Sequence, residues 1–444
     1  MSDQSNPIAS PILRPLGLAE ALWWRINQAC SSTFLMVAQI QGKVDLARLQ
    51  TALNHVATLH PILQANIQLI NRQPYLFKTI CPTIPLNVIA RQDAKHWQQV
   101  AQAALDVPFS SQDPLLWRVI AVHDEQHTTL MIAFDHSISD AKSGLVIIEQ
   151  ILQHHEGQLQ AEPQPLKGAY EHRLPARTLW QRLPHHTQQA LRMLKPIPAA
   201  DFAQTSDQAL HTRLAIHQVH PAQTKALVQL CRAHQTTMQG LLGALYVRAA
   251  HRLVEDLSLP IKLGSSVSVR AMLQDAVPKG QTDHEVGFMA FGVESLHNNN
   301  TDVWALAREV NQQIAAQMQP DHVYFGLWLR KILFHITPTP DKLLQTLTKS
   351  AKSVIHLTNI GNTGLAAQYG SLHLQHCFHL PPVRHYHKPV FCMTVSSHQG
   401  TLQLNLAWAE PVTAPSLAQA LMQDIRTALQ ELLHQTKSSA SAVS

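Results

Sequence analysis

Six prolines between residues 157 and 205 (Pro163, Pro165, Pro175, Pro184, Pro196 and Pro198) constrain this chain most, because helical and strand-like periodicity fades across them. Regular structure is readable on either side, so the chain divides into residues 1–160, a linker at 161–205 and residues 206–444. A length of 444 residues with 45% hydrophobic side chains can supply a sizeable core to each half.

In the first half, Thr33 to Ile40 reads as a strand by its apolar, partly β-branched content. A helix follows from a cap at Asp45, with Leu46, Leu49, Leu53 and Val56 at helical spacing and Pro61 as a stop. Ile62 to Leu69 and Pro74 to Ile80 read as strands, Ala94 to Leu105 as a helix, and Trp117 to Val122 with Thr128 to Phe134 as a hairpin. Leu145, Ile148, Ile151 and Leu152 then keep helical spacing. In the second half, strands are expected at 210–219, 261–269, 353–357, 368–378, 390–396 and 402–408. Helices are expected at 223–233, from Thr236 or Thr237 to Val254, at 302–318 and at 416–433. Each half mixes strands and helices without strict βαβ alternation, which predicts mixed α/β or α+β layers.

The formal charge is +5 without a long Lys/Arg run, which excludes a nucleic-acid arm and leaves room for local anionic sites. The linker is the one basic stretch: Lys167, Arg173, Arg177, Arg182, Arg192 and Lys195 face a single acid, Glu171. With Leu179, Trp180 and Leu183 interleaved, it reads as a solvated basic linker or as a peripheral membrane or carrier-protein contact. Five scattered cysteines (Cys30, Cys81, Cys231, Cys377 and Cys392) form no CxxC pair, so neither a disulfide framework nor a zinc knuckle is expected. Residues 1–10 lack a signal-peptide pattern, and no segment reaches the roughly 18 apolar residues that span a bilayer. A cytoplasmic monomer is the expectation. His373, His376, His379, His385 and His387 cluster near the last strands, but period-2 geometry puts His373 and His376 on opposite faces, so no metal site is expected.

His136 and Asp140 lie on the connection between the strand ending near Phe134 and the helix starting near Lys142. The composition of the chain yields an Asp four places after a His about once by chance, so spacing alone carries little. Location carries more, since a histidine just past a buried strand end suits a general base with one ring nitrogen fixed and the other free. A plain loop histidine with Asp140 as a helix cap fits the same residues. No GxSxG, P-loop, GxGxxG or HExxH offers other chemistry.

Several segments in order resemble the condensation-domain and chloramphenicol-acetyltransferase-like superfamily, especially its polyketide-associated acyltransferases and alcohol acetyltransferases. Arg14-Pro15-Leu16-Gly17 with Glu20 resembles the family's opening, and Gln41 to Asp45 through His60-Pro61-Ile62-Leu63 resembles its G-x-(L/V)-D…H-P-x-L segment. Asp135-His136-Ser137-Ile138-Ser139-Asp140-Ala141 resembles HHxxxDG, Val267 to Arg270 a strand ending in Arg, and Thr358 to Gly361 the S-N-x-G segment.

The resemblance implies two similar domains in a V-shaped pseudo-dimer with a tunnel between them. It implies that His136 deprotonates an alcohol or amine acceptor attacking a thioester, and that Asp140 pairs structurally with Arg270. Ala141, Thr358 and Asn359 become tunnel or oxyanion candidates. The co-substrate is a coenzyme A or phosphopantetheine thioester, free or on an acyl carrier protein, with no permanently bound cofactor and no metal. Arg330, Lys331, Lys349 and Lys352 are expected near its phosphates. Two residues depart from the motif. Asp135 replaces the first His and is expected to raise the His136 pKa. Ala141 replaces the Gly, a strained choice if the position needs positive φ. These departures motivate a second reading, a non-catalytic relative that binds an acyl carrier or lipid.

Overall fold

The computed structural model describes residues 11–441 apart from 80, 82, 195–197, 201–207, 255, 279–280, 282, 299–301, 351–354 and 386. Strand β1 (Ile12–Pro15) and helix α1 (Leu18–Ala29) lead into β2 (Thr33–Gln41), α2 (Leu46–Leu59), β3 (Ala65–Ile70), β4 (Gln73–Lys78) and β5 (Leu86–Ala90). Next come α3 (His96–Leu105), β6 (Trp117–His123), β7 (His127–Asp135), α4 (Ala141–His155) and α5 (Leu179–Leu194). Then follow β8 (His211–Val219), α6 (Pro221–Ala233), α7 (Met238–His251), β9 (Ile261–Ser268), β10 (Ala290–His297), α8 (Val303–Gln317), α9 (Pro320–Ile336) and α10 (Pro340–Ser350). The chain closes with β11 (Ile355–Asn362), β12 (Gln368–Tyr369), β13 (Leu372–Leu380), β14 (Phe391–His398), β15 (Thr401–Glu410) and α11 (Pro415–Ser441).

The fold is mixed α/β, with two six-stranded sheets and a small sheet β1-β4-β3. The first large sheet runs β12-β13-β2-β7-β6-β5 and the second β10-β9-β11-β14-β15-β8. Strand β2 is central in the first. Its residues Phe34 to Ala38 are buried on both faces, which is why they read as a continuous apolar run. Helix α2 starts where Asp45 accepts from the backbone N–H groups of Ala47 and Arg48, and it buries Leu49, Leu53 and Val56. Helix α4 lies close on β2 because Gly144 faces Met36, where a Cβ would sit 2.2 Å from the Met36 Cγ.

Strands β12 and β13 depart from the simple division at 161–205. They follow β11 of the second sheet and cross to the first, where β13 pairs antiparallel with β2 and β12 pairs with β13 at the edge, before β14 returns. Local pattern announces a strand but not its partner. A bulge between Leu374 and His376 aligns His373 with Gln41 and His376 with Gln39. The extra residue cancels the alternation, so the two histidines share a face rather than opposing each other. Among the described residues no group of three or more His, Cys, Asp or Glu is placed to hold a metal ion.

The linker is more ordered than its prolines suggest. Tyr170 is fully buried, Lys167 Nζ lies 3.0 Å from Asp275 and 3.1 Å from Glu285, and Arg173 forks onto the same two carboxylates. Acids from the second half thus neutralise two of the basic charges. Residues 179–194 form α5, with Pro184 forfeiting one backbone bond, and Trp180 stands 80% exposed. Helix α9 escaped the sequence reading because its apolar residues point both ways: Val323, Phe325 and Leu327 are buried while Trp328, Ile332 and Ile336 are exposed. Lys352 and the expected strand start at Ser353 lie outside the described residues. No helix among the described residues is long and apolar enough to cross a membrane.

At the end of β2, Gly42 has φ +119°, and a Cβ there would lie 2.8 Å from the Ser371 carbonyl in the β12–β13 turn. Gly42→Ala is expected to destabilise the protein by about 1–3 kcal/mol. A denaturant midpoint equal to wild type would contradict that close approach.

Candidate active site

Strand β7 ends at Asp135 and α4 begins at Ala141, so residues 136–140 form a short connection held by a rigid element on each side. His136 Nδ1 lies 3.0 Å from the Ser139 carbonyl. A carbonyl only accepts, so Nδ1 carries the proton and Nε2 keeps a free lone pair. Aromatic rings fix the imidazole: Trp23 of α1 stacks on it at 4.4 Å, Phe34 lies at 4.6 Å and Phe288 meets it edge-on at 5.3 Å. Burial lowers the His136 pKa, and the Ser139 carbonyl and the Asp140 charge offset this only in part. At pH 7 the ring is a neutral base. It lines a cavity of about 270 Å³ bounded also by Ala141, Thr358, Asn359 and Arg330.

Asp140 lines the same cavity, but its oxygens are engaged by other partners. Its Oδ2 accepts from Arg270 Nη1 at 2.8 Å and from the Met289 backbone N–H at 3.0 Å. Its Oδ1 accepts from Arg270 Nη2 at 3.1 Å and from the Ser143 N–H at 2.9 Å. The same carboxylate thus caps α4 and anchors an arginine 130 positions downstream. Ser143 Oγ extends the network by accepting from Arg270 Nη2 and from the Gly287 N–H while donating to the Gly287 carbonyl. Burial pushes the Asp140 carboxyl up, but the guanidinium and the two N–H donors outweigh it and hold the pKa below the usual range.

The condensation-domain model matches residues 27–275, more than half of the chain. The chain belongs to the condensation-domain family. A second model, phthiocerol/phthiodiolone dimycocerosyl transferase C-terminus, matches residues 209–406. Among solved structures, polyketide synthase associated protein 5 from Mycobacterium tuberculosis is similar at 15% identity, covering 95% of this chain and 98% of that one, with a TM-score of 0.64. TRI3 trichothecene 15-O-acetyltransferase from Fusarium sporotrichioides is 10% identical over 94% and 95% of the two chains, with a TM-score of 0.72. The EpoB cyclization-docking bidomain from Sorangium cellulosum is 17% identical over 97% and 87%, with a TM-score of 0.67. At such identities the likeness concerns the fold. Among curated proteins no sequence match was found.

In this condensation-domain protein the motif departures have local explanations. Asp135 does not raise the His136 pKa. Its carboxylate is fully buried, accepts from the Ser137 N–H at 2.8 Å and lines a separate small cavity beside Trp24 and Asn27. Ala141 opens α4 and is not among the residues with positive φ, so its methyl brings no backbone strain. Asn359 Oδ1 accepts from the Gly361 N–H at 2.8 Å where β11 bulges. Of the residues expected near phosphates, Arg330 lines the cavity and donates to the Tyr170 hydroxyl at 3.3 Å, whereas Lys331 and Lys349 are exposed and line no described cavity. A wider opening of about 850 Å³, lined by Lys142, Gln239, Gln281 and Gly361 among others, shares Arg270 and Asn359 with the inner cavity.

His379 and His385 stand in the histidine cluster from which no metal site was expected, and His356 lies outside it. His356, His379 and His385 line the same cavity as His136. The cluster at 373–387 was the available signal, but a histidine count does not tell a surface ring from one turned inward.

Asp140→Ala removes one member of a buried pair and is expected to cost about 3–5 kcal/mol. A denaturant midpoint matching wild type would overturn the anchoring role. His136 is expected to titrate below 6.5, since the folded site disfavours the imidazolium. An NMR-detected midpoint at or above 6.5 would contradict the desolvated geometry.

Proposed function

We propose that this protein is an acyltransferase that moves an acyl group from a thioester to an alcohol or amine, with His136 as general base. The observation that carries this reading is the Nδ1 contact to Ser139, which leaves Nε2 free at a cavity wall beside the start of α4. Membership of the condensation-domain family supports acyl transfer in general.

In the reaction, Nε2 accepts the proton of the acceptor O–H or N–H as that atom attacks the thioester carbonyl. The tetrahedral oxyanion would meet the positive end of α4, where the Ala141 N–H is a donor candidate, and Asn359 and Thr358, which line the same cavity, are further candidates. Collapse breaks the C–S bond, and the imidazolium returns its proton to the departing thiolate. Asp140 and Arg270 act by holding the connection in place. The donor is acyl-coenzyme A or an acyl carrier protein, with its pantetheine arm in the wider opening past Lys142. On this reading the cavities form a tunnel between two lobes, and the protein works in the cytoplasm as a monomer. Exposed Trp180, Leu183, Trp328, Ile332 and Ile336 support a peripheral lipid contact.

His136→Ala is expected to slow acyl transfer by about 10²–10⁴-fold. Thiol release from acyl thioesters, screened against mixed alcohols and amines, measures it. Binding of thioesters without any thiol release by the wild type would favour a non-catalytic carrier-binding protein instead.

A further inference from the structure

His379 sits near the end of β13, opposite Met36 of β2, and directly opposed residues project to one face of a sheet. Phe34 is two residues from Met36 and therefore shares that face, where its ring meets His136. The backbone of His379 is pinned, since its carbonyl accepts from Thr394 Oγ1 at 2.6 Å and from Asn405 Nδ2 at 3.3 Å. Its side chain is not: the residue is 5% exposed, it lines the inner cavity, and neither ring nitrogen is bonded by another protein group among the described residues. A buried polar group without a partner is costly and calls for a reason. A partner arriving with the substrate supplies one, and the broad χ2 torsion of histidine lets a ring nitrogen swing toward it.

The cavity also restricts what that partner is. Burial holds His379 and His385 down to about 3 and His356 to about 4, so these rings are neutral donors and acceptors. Among the described residues Asp140 is the only carboxylate on the wall, and both of its oxygens are engaged by Arg270 and backbone N–H groups. No acid on the described wall is free to receive an ammonium group. A neutral imidazole has one donor and one acceptor nitrogen, and a hydroxyl complements either.

We propose that His379 is an acceptor-binding residue whose imidazole hydrogen-bonds a second hydroxyl of a diol while the first hydroxyl is presented to His136. This rests on the acyltransferase reading for the identity of the acceptor, but the binding step is measurable without any acyl donor. Octane-1,2-diol and octan-1-ol serve as probes, titrated calorimetrically into the full-length protein. The wild type is expected to bind the diol about 3–10-fold tighter than the mono-ol. His379→Phe is expected to bring that ratio near one by weakening diol binding more than mono-ol binding, and to keep or raise the thermal midpoint because a buried polar group without a protein partner is gone. His379→Gln, which keeps a donor and an acceptor, is expected to retain part of the preference and covers the case in which the Phe variant does not fold. Equal affinity for the two probes in wild type, no binding of either, or a preference that survives both substitutions overturns the proposal. A diol preference that depends on His379, together with no thiol release from any thioester, leaves the binding role standing and overturns the acyltransferase reading instead.

Discussion

The pairing of Asp140 with Arg270 is the interaction on which the site depends. It joins the start of α4 to the end of β9, and through Ser143 and the Met289 N–H it also fixes the segment that carries Phe288 against His136. A buried ion pair adds little net stability over a well-packed apolar substitute. Its contribution here is positional. Four polar contacts converge on one carboxylate, and both the His136 ring and its aromatic wall take their places from them.

His136 and Asp140 show how two buried groups four residues apart reach opposite electrostatic states. Both are pushed toward neutrality by loss of water. Asp140 has a guanidinium and two N–H donors to stabilise its charge and stays ionised, whereas His136 has chiefly a carbonyl and stays neutral. Partner chemistry, more than depth, decides the outcome. The same logic explains why Asp135, one residue before His136, has its pKa raised: Ser137 and a distant Arg118 do not offset its burial.

What was legible in the sequence was what local periodicity encodes. The doubly buried run of β2, the Asp45 cap of α2 and the β6–β7 hairpin announce themselves through neighbours a few positions apart. The motif order then identified the mixed α/β family fold. What stayed hidden depends on contacts distant in sequence. The β13 segment reads as a strand but gives no hint that it pairs with β2, and its bulge reverses which histidines share a face. Helix α9 buries one side and exposes apolar residues on the other, so its period is blurred. The inward turn of His379 follows from that same long-range pairing.

The crossing of β13 also has a consequence for how the chain is made. The first large sheet needs residues 372–380 to cover the β2 edge, yet those residues emerge from the ribosome more than 300 positions after β2. During synthesis the flank of β2 therefore waits as an uncovered apolar edge, the kind of surface that invites pairing with other chains. Such distant pairing slows folding, because loop closure must precede the contacts that repay it. The first 160 residues thus supply four of the six strands of that sheet, and the other two come from the far half of the chain.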